Sequence, residues 1–580
     1  MGGYGDPTKY APPVVEAGLT QGSQRASARR TPPPHGRRHR VTHRFFPLIV
    51  LAALAFVAGV LAGALRGTPE KDVAQRFATA WQRGDYGTMH RLIADDQRRA
   101  IPLDRFRGAY NTTAGLATTS GLTVGKAGDP QDGVVAIPVT VRTRLFGTVK
   151  RTLELSFKGE GDTARVNWTP ALTFPGVKAD QQLERATKLP ARANILANDG
   201  KVLAGGADRA PDPAVASAAE QVVGELGSIP PELAKDLQAD GVPADAKVGT
   251  SGLELALQSE LAGTPGGTLS VGGQVIARSS PRRARAVKTT IDPEIEEVTI
   301  NAVAGQGSAT VMRPKTGEIL ALVGAAYSGA GPPGSTFKII TASAALEAKK
   351  VSVKDEFPVE TAAVLEGVRL NNASSESCGG TFEETFAHSC NSVYAPLGVK
   401  VGKEKLVEMA ERYGFNRPLG IAGAVESKIP QPSGIGDDLD LGSTSIGQGK
   451  VVATTLELAV ITATVANRGL LPRPTLLPTR RPRTTRVISP AIAAILTKFM
   501  IAVVNGGTGK NAQVGGVAVA GKTGTAELGG DIPNDAWFVA FAPARSNPQI
   551  AIAVTVPRGG SGGDAAAPIA QQVLSSVLKK

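Results

Sequence analysis

The sequence predicts a membrane-anchored, multidomain α+β protein, and three observations carry that expectation. At 580 residues, with 42% hydrophobic and 20% charged side chains, the chain is long enough for about three to five folding units and apolar enough to give them cores. One uncharged run, Phe45 to Leu65, separates a basic N-terminal tail from everything that follows. Beyond it the apolar period switches between helical and extended, the pattern of mixed α and β units, and no fixed-period repeat is visible.

Residues 1–44 have no apolar period and contain Thr31-Pro32-Pro33-Pro34, so a disordered tail is expected. The tail sets Lys9, Arg25, Arg29, Arg30, Arg37, Arg38, Arg40 and Arg44 against only Asp6 and Glu16. Much of the formal net charge of +13 is therefore concentrated there, which argues against a nucleic-acid groove in the folded part. Residues 45–65 (FFPLIVLAALAFVAGVLAGAL) have the length of about 20 residues that spans a ~30 Å hydrocarbon core as a helix. With Arg37, Arg38, Arg40 and Arg44 just before it, the tail is expected in the cytoplasm and the remainder outside. Ala62-Gly63-Ala64 has the form of a signal-peptidase site. The apolar run nevertheless exceeds the roughly 7–15 residues of a signal sequence, so a single uncleaved transmembrane helix in the cell membrane is expected.

From 68 to 177, Val73, Phe77 and Trp81 recur at helical spacing within residues 70–83, and Tyr86–Ile93 and Leu103–Leu116 continue it. Val134–Thr143, Val149–Phe157 and Ala164–Trp168 then alternate as strands, so this module places helices before a curved sheet. Residues 178–286 hold short apolar runs broken by Pro and Gly and read as a β-rich pedestal. The last unit, 287–580, opens with a hairpin, Ser308–Met312 and Glu318–Val323, around Pro314-Lys315-Thr316-Gly317. Lys338–Ala348 reads as a buried helix and Val517–Ala520 as an apolar piece before a turn. Ala536–Ala542 and Gln549–Val556 read as strands, and Pro568–Leu578 as a closing helix. Strands at both ends of a helical middle predict a mixed α/β domain whose sheet is completed by its C-terminal part.

Residue counts then narrow the chemistry. Of five histidines, His35, His39 and His43 lie in the tail, leaving His90 and His388, too few for a His-rich metal site and unpromising for a histidine triad. Two cysteines exclude a multi-cysteine metal centre. No metal or cofactor is expected. Gly334-Ser335-Thr336-Phe337-Lys338 places a serine and a lysine on one face at the start of a predicted helix. A hydroxyl is a weak nucleophile until a neighbour takes its proton, and a lysine desolvated beside another cation can do so. Ser389-Cys390-Asn391 and then Lys522-Thr523-Gly524-Thr525, the latter on a strand-like segment followed by small residues, come after it in that order.

These three motifs resemble those of the penicillin-recognising serine acyltransferases. The flanks PGSTFK at 333–338, GQG at 447–449, TLELA at 455–459, ANRG at 466–469 and AGKTGTAE at 520–527 resemble the transpeptidase domain of class B penicillin-binding proteins, with a serine β-lactamase-like fold, over 287–580. Residues 68–177, including RVNWTP at 165–170, resemble the NTF2-like domain of the branch related to the methicillin-resistance protein. PARANILANDGKVLA at 190–204 is similar to the family's linker, with Ala193 in place of its glycine.

The resemblance implies a peptidoglycan D,D-transpeptidase that acts on stem peptides, is acylated by β-lactams and works with a separate membrane glycan polymerase. It implies Ser335 as nucleophile, Lys338 as base, and Lys522 holding the site positive. Ser389 would relay a proton, Asn391 would hold Lys338 and the substrate amide, and Thr523, Gly524 and Thr525 would line the substrate's carboxylate site. A D,D-carboxypeptidase, a β-lactamase, or a non-catalytic β-lactam-binding scaffold or sensor of the same fold are the rivals. No Glu-x-x-Leu-Asn segment follows Asn391, which disfavours the β-lactamase.

Bland readings compete at individual residues. Lys315-Thr316-Gly317 repeats the Lys-Thr-Gly triplet but precedes the serine, so it reads as a hairpin turn. His388 reads as a partly buried neutral histidine and His90 as a surface or satisfied one. Ser389 and Asn391 could be cap and turn residues. Cys378 and Cys390 lie on the exported side and either bridge, bracing the Ser389 loop, or remain two buried thiols.

Overall fold

The computed structural model describes residues 68–373, 376–479 and 481–578. The tail 1–44 and the apolar run 45–65 expected to cross the membrane lie outside the described residues. No described helix is long and apolar enough to cross a membrane.

Helices Pro69–Gln82, Tyr86–Leu92, Asp95–Ala100 and Leu103–Leu116 precede an antiparallel four-stranded sheet, in the order Thr119–Val124, Val134–Thr143, Gly147–Lys158, Arg165–Val166. Asp85 starts the second helix by accepting a hydrogen bond from Thr88 N. Along Val134–Thr143 burial alternates strictly from Val135 on, so one face feeds a core that includes Phe77, Phe106, Tyr110 and Trp168. The Trp168 indole N–H donates to the Tyr110 hydroxyl at 3.1 Å, which lets both polar tips be buried. Helix Asp95–Ala100 buries no residue, and strand Thr119–Val124 (TSGLTV) is mostly polar. Neither offers an apolar period, so both escaped the sequence reading. His90 is satisfied, with Nε2 2.7 Å from Ile101 O.

The 178–286 stretch contains the expected short strands together with helices that the sequence reading did not single out. Leu183–Lys188, Gly266–Val271 and Gln274–Ser279 form a three-stranded sheet, but helices Ala216–Val222, Pro231–Ala239 and Gly252–Ala256 intervene. Pro231–Ala239 fully buries no side chain, although Leu233 and Leu237 stand at helical spacing. Val287–Lys288 pairs in parallel with Ile195–Leu196, so the expected break at 286 falls beside a sheet strand. At the centre of this region Glu254, 1% exposed, receives Arg192 Nε on Oε2 at 2.5 Å and Arg209 Nε on Oε1 at 2.7 Å.

The C-terminal sheet runs in the order Ile319–Val323, Ser308–Met312, Ile550–Val556, Asp535–Ala542, Ala520–Ala526, all antiparallel. The two hairpin strands are buried at every position, which fits a sheet covered on both faces. Alternation along Asp535–Ala542 sends Trp537, Val539 and Phe541 into one core and Ala536, Phe538, Ala540 and Ala542 into another. Helix Thr455–Ala466, buried at all its positions, packs on the first face, and Ala567–Leu578 with Pro293–Val303 covers the second. The expected apolar piece before a turn at 517–520 is instead the lead-in to the edge strand Ala520–Ala526. Its sequence, AGKTGTA, has little β character and is held by pairing with Asp535–Ala542.

A buried carboxylate bound by two guanidiniums is costly to break, because removing it leaves two cations unpaired; the loss is about 3–5 kcal/mol. Glu254→Ala is expected to lower the thermal unfolding midpoint clearly, whereas Asp199→Ala, which breaks the exposed pair with Lys201, leaves it near wild type. Equal midpoints for the two variants contradict this account of the pedestal.

Candidate active site

A 3-10 turn, Gly334–Phe337, carries Ser335 directly into the helix Lys338–Glu347. That helix is rich in Ala and Ile and is buried from Lys338 through Ala345. Gly334 has φ +52°, and a Cβ there would lie 2.4 Å from Thr525 O. Only glycine therefore lets the serine turn lie against the edge strand. Ser335 itself is half-buried, and Lys338 has no exposure.

Lys338 Nζ donates to Asn391 Oδ1 at 2.6 Å, to Ser389 O at 2.7 Å and, more weakly, to Ser389 Oγ at 3.3 Å. Lys522 Nζ reaches the same hydroxyl, Ser389 Oγ, at 2.8 Å and Thr523 O at 3.0 Å. Each ammonium also lies over a ring, Lys338 5.4 Å from the centroid of Tyr394 and Lys522 5.6 Å from that of Phe386. Both lysines are fully buried. Burial pulls Lys338 well below the usual lysine range, and the Lys522 charge lowers it further. Burial alone brings Lys522 down to about 7. The serine hydroxyl of Ser335 is not among the partners of Lys338. Catalytic hydrogen bonds often tighten only once substrate is bound.

Ser389 has φ +61°, a left-handed conformation that costs a non-glycine residue about 1–3 kcal/mol. The turn follows helix Phe382–Ala387, starts helix Asn391–Val401 and holds Ser389 Oγ between the two lysines. Asn391 sits at the first position of the second helix, and its Nδ2 donates to Asn371 O at 2.7 Å. Cys390 is bonded to Cys378 with a Cα separation of 5.5 Å, so the bridge and not the pair of free thiols is present. It ties this turn to strand Cys378–Thr381.

The edge strand supplies Lys522 to Thr525. Thr525 O accepts from Gln448 Nε2 at 3.3 Å on the side away from the neighbouring strand. In an extended residue the N–H and C=O leave on the same side, so the Thr525 N–H also faces the Ser335 turn. A Cβ on Gly524 would meet Pro333 O at 2.6 Å, so its glycine is required by the same close approach. The Thr523 hydroxyl is 2.6 Å from that of Thr508.

The structure thus brings Ser335, Lys338, Ser389, Asn391, Lys522, Thr523, Gly524 and Thr525 into one region. Lys315 stays in the turn between strands Ser308–Met312 and Ile319–Val323, where Gly317 has φ +75° and Thr316 Oγ1 accepts from Glu318 N. His388, expected to be partly buried, is exposed, because it follows the last turn of helix Phe382–Ala387 on the outer side. Sequence reasoning missed Thr508, Asn371 and the role of Gly447 and Gln448, which close the serine turn through Gly447 O and Thr525 O. GQG was visible as a flank, but nothing in it disclosed a contact. Among the described residues no group of three or more His, Cys, Asp or Glu is placed to hold a metal.

Residues 69–181 match the family described as the NTF2-like N-terminal transpeptidase domain, 213–279 the penicillin-binding protein dimerisation domain, and 307–575 the penicillin-binding protein transpeptidase domain. The peptidoglycan D,D-transpeptidase PbpA of Mycolicibacterium smegmatis is 33% identical over 370 residues, which cover 51% of this chain and 73% of that protein. PbpA of Mycobacterium tuberculosis is 32% identical over 371 residues, with the same shares of 51% and 73%. The solved structure of penicillin-binding protein A from M. tuberculosis as its penicillin G acyl-enzyme aligns with a TM-score of 0.53 and 29% identity. The alignment covers 67% of this chain and 99% of that one.

Proposed function

Because the chain belongs to the class B penicillin-binding proteins and is a serine-type peptidoglycan D,D-transpeptidase, we propose that Ser335 is its acylated nucleophile and Lys338 the base that activates it. The observation that carries this reading is the burial of Lys338 beside Lys522, which favours a neutral amine at the residue three positions after the serine.

Ser335 Oγ attacks the carbonyl of the penultimate D-Ala of a stem peptide while its proton passes to Lys338 Nζ. The backbone N–H groups of Ser335 and Thr525 bind the oxyanion that forms, a task supported by the outward face of Thr525. Ser389, hydrogen-bonded to both lysines, relays a proton to the departing D-Ala amine and is reprotonated by Lys338 as the C–N bond breaks. Asn391 holds Lys338 through Oδ1 and offers its amide to the substrate backbone. Lys522, with the Thr523 and Thr525 hydroxyls and the close-packed Gly524, holds the terminal carboxylate. An amine from a second stem peptide then attacks the acyl-enzyme and gives up a proton, which returns through Ser389 and Lys338 to Ser335 Oγ as the new C–N bond of the cross-link forms and the ester C–O bond breaks. A β-lactam acylates the same oxygen.

Residues 45–65 fit a single-pass anchor that leaves the catalytic domain outside the cell membrane, and a separate membrane glycan polymerase supplies the strands. Retention of the full-length chain in membranes after a carbonate wash tests the anchor; release into the wash contradicts it.

Covalent labelling by a fluorescent penicillin is expected to vanish in Ser335→Ala and to slow severely in Lys338→Ala, while Lys315→Ala is nearly silent. Labelling that survives in Ser335→Ala rejects the nucleophile. The acylation rate is expected to rise with pH as Lys338 loses its proton, then to fall as pH climbs through about 7 and Lys522 loses the charge that attracts the carboxylate. In Lys522→Ala the alkaline fall disappears and the acid rise moves to higher pH, because a repelling cation is gone. An unchanged profile in that variant contradicts the pairing of the two lysines.

A further inference from the structure

Helix Asn391–Val401 begins with a residue of the lysine pocket, and its start is held from outside. First-turn amides of a helix have no partner within it and are normally served by the side chain of the N-cap residue. Here the N-cap is Cys390, which makes no side-chain cap and has its sulfur in the bridge to Cys378. Ser392 N instead donates to Asn372 Oδ1 at 2.9 Å, from a residue 20 positions earlier.

Asn372 is 5% exposed and every hydrogen of its amide is used. Nδ2 donates to Glu360 O at 2.8 Å and to Glu376 O at 3.0 Å, and the backbone N–H donates to Thr361 O at 2.9 Å. The side chain therefore joins the end of strand Glu356–Glu360, the segment leading to Cys378 and the first turn of the catalytic helix. Immediately before it, the Asn371 carbonyl accepts from Asn391 Nδ2. That contact decides which end of the Asn391 amide faces Lys338. With Nδ2 committed to Asn371, Oδ1 is left to accept from Lys338 Nζ. Were the amide reversed, its N–H groups would oppose the ammonium.

We propose that Asn372 is a positioning residue for acyl transfer, capping the Ser-x-Asn helix from a neighbouring segment and fixing the carbonyl that orients the Asn391 amide toward Lys338. The proposal rests on the roles of Lys338 and Asn391 given above. It is distinct from them because Asn372 hydrogen-bonds to Glu360, Glu376, Ser392 and Thr361 and to neither Lys338 nor Ser335.

The groups facing Lys338 are Ser389 and Asn391, the Tyr394 ring from the same helix and the Lys522 ammonium from the edge strand. Loss of the Asn391 acceptor removes a bond that favours the ammonium form. The acid rise of acylation then moves to lower pH even as the maximal rate falls. Loosening of the fold alone reduces the fraction of protein that can be labelled and does not displace that limb.

The test is fluorescent-penicillin acylation of the full-length chain, with rates expressed per labelled site across pH, for wild type, Asn372→Ala, Asn372→Ser and Asn391→Ala. Asn372→Ala is expected to slow acylation per site by about 10- to 100-fold, the scale of a misplaced catalytic group, with the labelled fraction unchanged and the acid limb at lower pH. Asn372→Ser keeps a small polar group that cannot span the three contacts, and it gives the same reading if the alanine chain fails to fold. A normal rate per site in the Asn372 variants, with Asn391→Ala slow, overturns this proposal alone. A lower labelled fraction at an unchanged rate per site overturns it as well. A normal rate in Asn391→Ala instead overturns the role of Asn391 on which the proposal stands.

Discussion

Two lysine side chains share one serine hydroxyl in a pocket closed to water, and the catalytic domain is organised around making that arrangement tolerable. Isolated ammonium groups in a low-dielectric interior are expensive, and proteins relieve the cost by pairing or by neutralisation. Lys338 and Lys522 have polar acceptors and aromatic faces as neighbours, without a carboxylate among their hydrogen-bond partners. Neutralisation of Lys338, beside the Lys522 charge, is therefore the available route. The same physics that would count as a defect in a structural core favours the neutral amine at Lys338.

The surroundings keep the lysines from escaping. The five-stranded sheet is covered on both faces, so its edge strand has one direction in which to present Lys522. Glycines at 334 and 524 allow the serine turn to touch that strand, and Gly447 and Gln448 close it from the third side. The Ser389 turn is strained, and it is fixed at both flanks by the capped helix Phe382–Ala387 and the Cys378–Cys390 bridge. Strain held by its surroundings is a form that preorganisation takes.

Much of this was legible in the sequence where the signal is local. The order of the serine, Ser-x-Asn and Lys-Thr-Gly motifs pointed to Ser335, Lys338, Ser389, Asn391 and Lys522, and alternation or helical period located the long elements, such as Val134–Thr143 and Leu103–Leu116. What stayed hidden depends on contacts distant in sequence. Lys522 and Ser389 meet across 133 positions, and Thr508 and Asn372 act only because folding brings polar partners to them. Glu457 in the TLELA stretch reads as an ordinary acidic residue. In the structure it is completely buried, its carboxyl oxygens find no hydrogen-bond partner among the described residues, and burial pushes its pKa up to about 8.

The most direct test of the account is an NMR titration of Lys338 in the full-length protein carrying isotopically labelled lysine, with the signal assigned by its loss in Lys338→Ala. Lys338 is expected to titrate well below the usual lysine range and to move upward in Lys522→Ala, where the neighbouring charge is absent. A Lys338 that stays protonated up to the ordinary lysine range, near 10.4, and is indifferent to the loss of Lys522 would contradict the claim that burial and a second lysine make the base.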